Sequence, residues 1–412
     1  MSAISKTLDS RPSPTDDLFD CILVQLPVKS LKRFQAVNKS WAALISQPDF
    51  VEKHLTEIKK KTNRFQILLQ TLISDFHFVR DPDNENFIKC FKPLPETRPL
   101  RSIDYEATLK NLKEDEAALI APRELDSLEM INNTDSNPVI FGSVNGLICI
   151  EFDQTDIVIW NPSTKESKLL PQATVIDDDI SIASVFYGFG YDDKNKDYKV
   201  VRASIRGEYA SNGVTWSRNI IIEVFSLKTG SWRTSQVINC MGSEDLGIDG
   251  QGCLVNETLH WLDQRGRVLR SFDLVEEKFG ESVQDLSSIM REDTYLGGAF
   301  NIENCLVVFC LTYDYHSEIK TKEYQIWVMK DIAVPESWTE VANFISEEFM
   351  KPICISEGGE VLAVIGKAVA WFSPKENLVK NVVELDGTIV ATKYIETLVS
   401  PLTGSVAGKC VH

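Results

Sequence analysis

The sequence runs to 412 residues, 43% hydrophobic and 9% aromatic, with a formal net charge of −17. Such a chain can bury a sizeable core, which excludes a disordered or low-complexity protein, and at roughly 150 residues per domain it should form two or three units. The charge is uneven, with 11 Lys/Arg against 7 Asp/Glu in the first 65 residues and 32 against 53 in the rest; so acidic a body argues against nucleic acid as a partner and favours a basic one, although the same acidity also serves solubility.

In chain order, helices come first. Ser13-Pro14-Thr15-Asp16 combines a Ser cap, a Pro at the first helical position and an acid that suits the free N–H groups there. Leu18, Ile22 and Leu26 follow at four-residue spacing and predict one apolar stripe. Pro27 interrupts this helix, and "VKSLKRFQAV" begins another with Leu31, Phe34 and Val37 three residues apart. Trp41, Leu44 and Ile45 continue the apolar positions in a third short helix, and a more charged helix begins near Pro48. Helices this short are marginal alone, so the apolar surface left over should be covered by something else.

From about residue 64 the pattern changes to short runs of Val, Ile, Phe, Tyr and Trp between Gly, Pro, Asn and Asp turns, an all-β signature. Asn145-Gly146, the charged stretch in "FGYDDKNKDYKVV" and Lys228-Thr229-Gly230 are the clearest turns. Five segments repeat one plan, an apolar strand ending in an aromatic, then a polar turn, then a second strand. Their anchors Trp160, Phe225, Phe272, Trp327 and Phe372 are 65, 47, 55 and 45 residues apart. Each follows another β-rich run, so the unit carries about four strands, the period of a β-propeller blade. A sixth blade would be built either from "FQILLQTLISDFHFVRD" or by closure through "GTIVATKYIETLVS". Two β-sandwiches are the alternative fold.

Chemistry-bearing motifs are missing. His54, His77, His260, His316 and His412 have no paired spacing, and Cys305 and Cys310 sit within one strand, so no metal site is expected. His260, beside Trp261, reads as a core or edge residue rather than a ligand or base. "GFGYDD" lacks the third glycine of a dinucleotide fingerprint and reads as a turn, neither a nucleophile elbow nor a P-loop occurs, and the acidic run "VIDDDIS" reads as a solvated loop. No cofactor is expected. The nine cysteines lie mostly in apolar runs and read as reduced, buried thiols. With no apolar stretch of signal-peptide or membrane-span length, the expected location is cytoplasm or nucleus.

The opening "SPTDDLFDCILVQLPVKSLKRFQAVNKSWAALISQPDFVEKHL" resembles an F-box, the three-helix module through which substrate receptors join SCF-type (Skp–cullin–F-box) ubiquitin ligases. An Ile-Leu pair before Leu26-Pro27, then V-K-S-L, V-x-K-S-W and a P-x-F and His-Leu tail carry the likeness. Ser13 and Asn38 depart from the usual Leu and Cys. The remainder is similar to the plant F-box-associated domain in "GSVNGLICI", "IVIWNPSTKESKLLP", "YGFGYDDKNKDYKVVR", "VFSLKTGSWR", "LVNETLHWL", "IWVMKDIAVPESWTEV" and "YIETLVSP".

The resemblance implies a plant protein with an F-box over residues 10–58 and a kelch-like β-propeller of about six blades over 62–402, an α plus all-β multidomain chain. It implies a non-catalytic receptor subunit of an E3 ligase that binds a Skp-type adaptor, and through it cullin and RING subunits, and presents a protein substrate for ubiquitination and degradation. A non-ligase propeller scaffold is the alternative. The adaptor face is assigned to Pro14, Ile22, Leu23, Leu26, Pro27, Leu31, Val37 and Trp41, rimmed by Lys29, Lys32, Arg33 and Lys39. For Trp41 and Val37, core and interface roles weigh equally. Pollen recognition and defence are both compatible with the family, and defence is favoured. The substrate is expected on variable loops at one rim: 171–184, 203–219, 239–252 and 312–324, with Tyr209, Trp216, Tyr313 and Tyr315 as exposed aromatics.

Overall fold

The computed structural model describes residues 14–61, 64–71, 74–80, 87–93, 100–113, 119–125, 138–152, 156–173, 181–209, 216–241, 248, 251–263, 267–280, 284–291, 293–313, 321–331, 334, 337–385, 387 and 389–403. Four helices come first: α1 (Pro14–Leu23), α2 (Val28–Val37), α3 (Lys39–Ile45) and α4 (Pro48–Lys59). Pro27 does more than stop α1. Its carbonyl accepts from Ser30 and Leu31 N–H, at 2.9 and 3.1 Å, so the rigid residue also founds α2. Asn38 closes α2 with extended backbone and opens α3 by accepting the Ser40 N–H at 2.8 Å on its side chain. A cysteine there could not make that cap as well, which is a physical use for Asn38.

The β region is a six-bladed propeller. Five blades are consecutive antiparallel meanders of four strands, with first strands Val139–Val144, Ser181–Asp192, Cys253–Val255, Thr294–Ile302 and Met350–Ile355; the blade begun by Cys253–Val255 has a fifth short strand, Gln284–Asp285, paired with its third. The sixth sheet is composite. Its order is Ile389–Tyr394, Gln66–Thr71, Arg101–Asp104, Arg123–Glu124, and Gln66 pairs with Tyr394 through Thr71 with Ile389. Gln66–Thr71 from one sequence-based option thus pairs with the C-terminal strand of the other, which closes the ring, whereas Ser74–Arg80 from the first option pairs with Phe87–Pro93 in a separate two-stranded sheet. The first strands neighbour one another around a central channel, and the two-sandwich alternative is excluded.

Each pair of adjacent blades encloses its own apolar core. Phe186, Ile222, Leu259 and Trp261 fill one such wedge, and Val307, Phe309, Ala363 and Phe372 another. Strands such as "LICI" and "LVVF" are therefore buried on both faces, which is why they read as unbroken apolar runs rather than alternating ones. Near the axis the blades converge. A Cβ on Gly188 would stand 2.6 Å from Leu259 Cδ1 and 2.8 Å from Trp261 Cζ2, so only glycine lets these blades approach.

The five aromatic anchors all lie on third strands, Asp156–Asn161, Trp216–Ser226, Val268–Asp273, Lys322–Met329 and Ala368–Ser373. No sixth anchor shows in the sequence because the third strand of the closing blade runs into α5 (Tyr105–Lys113), a helix the all-β expectation missed. Its start signal is local: Asp104 Oδ1 accepts the Ala107 N–H at 3.0 Å, the geometry of an N-cap. Trp371 fastens α5 to its neighbouring blade by donating from Nε1 to the Thr108 carbonyl at 3.1 Å.

Candidate functional site

The N-terminal helices have a buried side and an exposed side. Leu23, Val24, Val28, Leu31, Ile45 and Phe50 form their core, and Leu398 from the end of the propeller completes it. Of the residues expected on the adaptor face, Ile22 is 51% and Val37 73% exposed, and Pro27 is exposed. Leu23 and Leu31 are buried beneath them, and Leu26 and Trp41 are partly buried against that core. Trp41 packs edge-on to Phe34, ring centroids 5.2 Å apart. Lys29, Arg33 and Lys39 are exposed and Lys32 half-buried. The side chain of Pro14 lies outside those described. Phe19, absent from the expected set, is 53% exposed one turn before Ile22 on α1.

Helix α4 joins this module to the propeller. Leu55 and Val51 pack with Leu147, Phe189, Tyr198 and Val399. His54 is fully buried, stacks on Phe50 and pairs Nε2 with the Leu26 carbonyl at 3.0 Å, tying α4 to the Leu-Pro corner. Burial holds its pKa below the ordinary histidine value, so the ring is neutral.

The stretch after the closing strand is clamped by one blade, through the Asn161 side chain and the Asn145 carbonyl. Asn161 Nδ2 donates to the carbonyls of Thr397 and Val399 at 3.1 and 2.7 Å, while its Oδ1 accepts the Ser163 N–H at 2.8 Å. Thr397 Oγ1 donates to the Asn145 carbonyl at 2.7 Å, and Asn145 Nδ2 to the Tyr198 hydroxyl at 3.1 Å. Asn145 and Gly146 have φ of 52° and 84°, and a Cβ on Gly146 would stand 2.3 Å from Thr397 Oγ1. This turn therefore needs glycine for its backbone and for close approach. The segments "SVNG", "WNPST", "GYDDKNKDY" and "ETLVSP", remote in sequence, meet at the seat of the helical module.

The other rim faces away. First strands run toward the module, as the hairpin residue Lys196 3.9 Å from Glu52 shows, so second-to-third and blade-to-blade connections lie at the opposite end. All four loops expected to meet a substrate are connections of that kind. Their tips, including Tyr315 and most of "VIDDDIS", lie outside the described residues, as do the side chains of Tyr209 and Trp216. Tyr313 packs edge-on to Tyr295, which is 51% exposed.

Two acid–base clusters stiffen the blades. Lys199 Nζ lies 2.6 Å from Asp192, 2.8 Å from Glu277 and 2.6 Å from the Leu274 carbonyl, and Glu277 also meets Arg233. Burial alone would depress the ammonium and raise the Asp192 carboxyl. Their hydrogen bonds prevail, so Lys199 sits above and Asp192 below its ordinary pKa. Arg202 pairs with Glu223 at 2.7 Å in the same blade. His260 is buried, with Nδ1 2.9 Å from Ser271 Oγ, and burial lowers its pKa to about 4. It is a core residue. Among the described residues no group of three His, Cys, Asp or Glu side chains could hold a metal ion, and no helix is long and apolar enough to cross a membrane.

A helical module with an exposed apolar side is thus seated on one end of the propeller. Comparison with known families decides which such protein it is: residues 107–396, the five meander blades with the closing strand, match the F-box associated beta propeller domain. The chain belongs to this F-box-associated propeller family. It is similar to the F-box protein CPR1 of Arabidopsis thaliana, 26% identical over 386 residues covering 86% of this chain and 81% of that one. The F-box protein At4g22390 of Arabidopsis thaliana is 25% identical over 411 residues, covering 94% and 90%. The F-box/kelch-repeat protein At3g23880 of the same plant is 24% identical over 394 residues, covering 93% and 95%. The resemblance to a plant F-box protein is thereby established, and the helices α1–α4 are consistent with its F-box. Family segments such as "SVNGLICI" and "IVIWNPST" now have a physical role as the clamp between F-box and propeller.

Proposed function

We propose that this chain is the substrate-recognition subunit of an SCF-type E3 ubiquitin ligase, working in cytoplasm or nucleus. Pro14, Ile22, Leu26, Pro27, Val37 and Trp41 meet a Skp-type adaptor, with Phe19 added and Lys29, Lys32, Arg33 and Lys39 at the rim. Leu23 and Leu31 hold this face from beneath. Cullin and RING subunits follow through the adaptor. The observation that carries this reading is the exposure of Phe19, Ile22 and Val37 on a small module whose opposite side is buried against the propeller. Apolar side chains this large, left on a helical pair, fit a surface that a second protein covers.

The propeller rim away from the F-box then binds a protein, and the acidic body favours a basic one. No acid, base or nucleophile of this chain is required. The receptor raises the effective concentration of a substrate lysine near a conjugating enzyme's thiol. The test is co-purification of a Skp-type adaptor with Ile22→Asp/Val37→Asp. Both side chains are exposed, so melting of the chain should be unchanged while adaptor recovery is lost. Undiminished recovery would contradict the assignment.

A further inference from the structure

The axis of the propeller holds a cavity of about 1010 Å³, lined by first-strand residues of all six blades. Its charged lining comprises the lysines Lys59, Lys351 and Lys393 and two carboxylates. Among the described residues the carboxylates are Asp193 and Glu257, both at hairpin tips on the F-box side, and Glu257 already accepts the Asp193 N–H at 2.5 Å. Lys393, on the closing strand, is a cation set into this wall. Its Nζ donates to the Asn301 carbonyl at 2.6 Å and lies 5.6 Å from the centroid of the Phe65 ring, with no carboxylate of a described residue within 4.0 Å. An ammonium has three N–H donors, so beyond the Asn301 carbonyl two can meet a ligand in the channel, to which Lys393 is partly exposed. The remaining lining mixes polar side chains such as Ser143, Gln251 and Thr392 with apolar ones; Phe65 and Phe300 are partly exposed there, whereas Phe141 and Phe189 are buried in a blade core.

A lysine ammonium beside an aromatic ring, inside a concave chamber of small-molecule size, is the chemistry that recognises a flat organic anion. We propose that the propeller channel binds a small aromatic carboxylate, whose carboxylate takes the open donors of Lys393 and whose ring lies against Phe65 and its neighbours. Burial lowers the pKa of Lys393, and the nearby Glu303 charge opposes this. The site is separate from the adaptor face and from the outer rim, so it stands or falls apart from the ligase reading.

The experiment titrates the full chain with benzoate and with its neutral isostere benzamide by calorimetry. Saturable benzoate binding is expected, with benzamide weaker by about tenfold, a factor that one charge-assisted hydrogen bond supplies. Lys393→Met should lose benzoate affinity by about the same factor, and Lys393→Arg should keep most of it. Should Lys393→Met fail to fold, hydrogen exchange on the wild-type chain decides. Benzoate should then slow exchange in 297–301 and 389–395 and leave the outer strand 231–241 unchanged. Benzamide binding as well as benzoate, protection on outer strands instead of these, or no saturable binding at all, a channel holding only solvent, would each overturn the proposal.

Discussion

Asn161 and Val399, 238 positions apart, are joined by a 2.7 Å hydrogen bond from the Asn161 side-chain amide to the Val399 carbonyl. The same amide also donates to Thr397, and Asn161 is fully buried. One side chain thus satisfies two backbone acceptors of a segment that belongs to no strand. Asn161→Ala should leave those carbonyls unpaired and cost about 2–4 kcal/mol in urea unfolding. Asn161→Asp should cost more, because a carboxylate would face two carbonyl oxygens. A loss below 1 kcal/mol, about that of one ordinary exposed hydrogen bond, would show that the clamp is not structural.

Leu398 follows from the same clamp. It is held by the propeller yet buried with Leu23, Leu31 and Phe50 in the core of the helical module. Leu398→Ala opens a cavity there and should destabilise the module by about 2–4 kcal/mol. Limited proteolysis should then cut within residues 14–59 earlier than in wild type, while blade peptides keep their protection. Equal loss of protection in both parts would show that module and propeller unfold as one unit.

The buried Lys199 gives a third expectation. Its ammonium neutralises Asp192 and Glu277 beneath the surface. Replacing it by Met keeps the bulk but strands two carboxylates, one of which retains Arg233. A destabilisation of about 3–5 kcal/mol is expected. The double variant Lys199→Met/Asp192→Leu should recover part of it, since removing both partners costs less than removing one. Equal stability of single and double variants would refute the coupling.

His260 makes the propeller acid-sensitive. Its folded pKa of about 4 lies below the ordinary 6.5, so the folded ring stays neutral while the unfolded chain takes a proton. Above pH 6.5 the group has no pH-dependent effect. As pH falls from 6.5 toward 4 the unfolded state is favoured progressively, by up to about 3 kcal/mol. The difference in stability between wild type and His260→Leu should therefore shift over that window in favour of the variant. Parallel curves from pH 7 to 4 would show that His260 is protonated equally in both states.

Local chemistry made much of this molecule legible. Asn145-Gly146 and Lys228-Thr229-Gly230 turn as their residue types require, and Gly230 has φ of 70°. Trp160, Phe225, Phe272, Trp327 and Phe372 mark the same position in five blades because each ends a third strand before its hairpin. Leu31 and Ile22 share the apolar periodicity of the first helices, yet one is fully buried and the other half exposed. Periodicity identifies a stripe without dividing it between core and interface.

From residues alone came the four short helices, the switch to β structure, the blade-like repeat and the lack of any motif for chemistry, since each rests on interactions among near neighbours. The closing of one blade by Ile389–Tyr394 on Gln66–Thr71, the helix α5 inside it, the seating of α4 on Leu147 and Val399, and the place of Lys393 on the axis belong to the tertiary structure. Those contacts join segments up to hundreds of residues apart. Their partners are chosen by how six twisted sheets fit around a common axis, which no local pattern encodes.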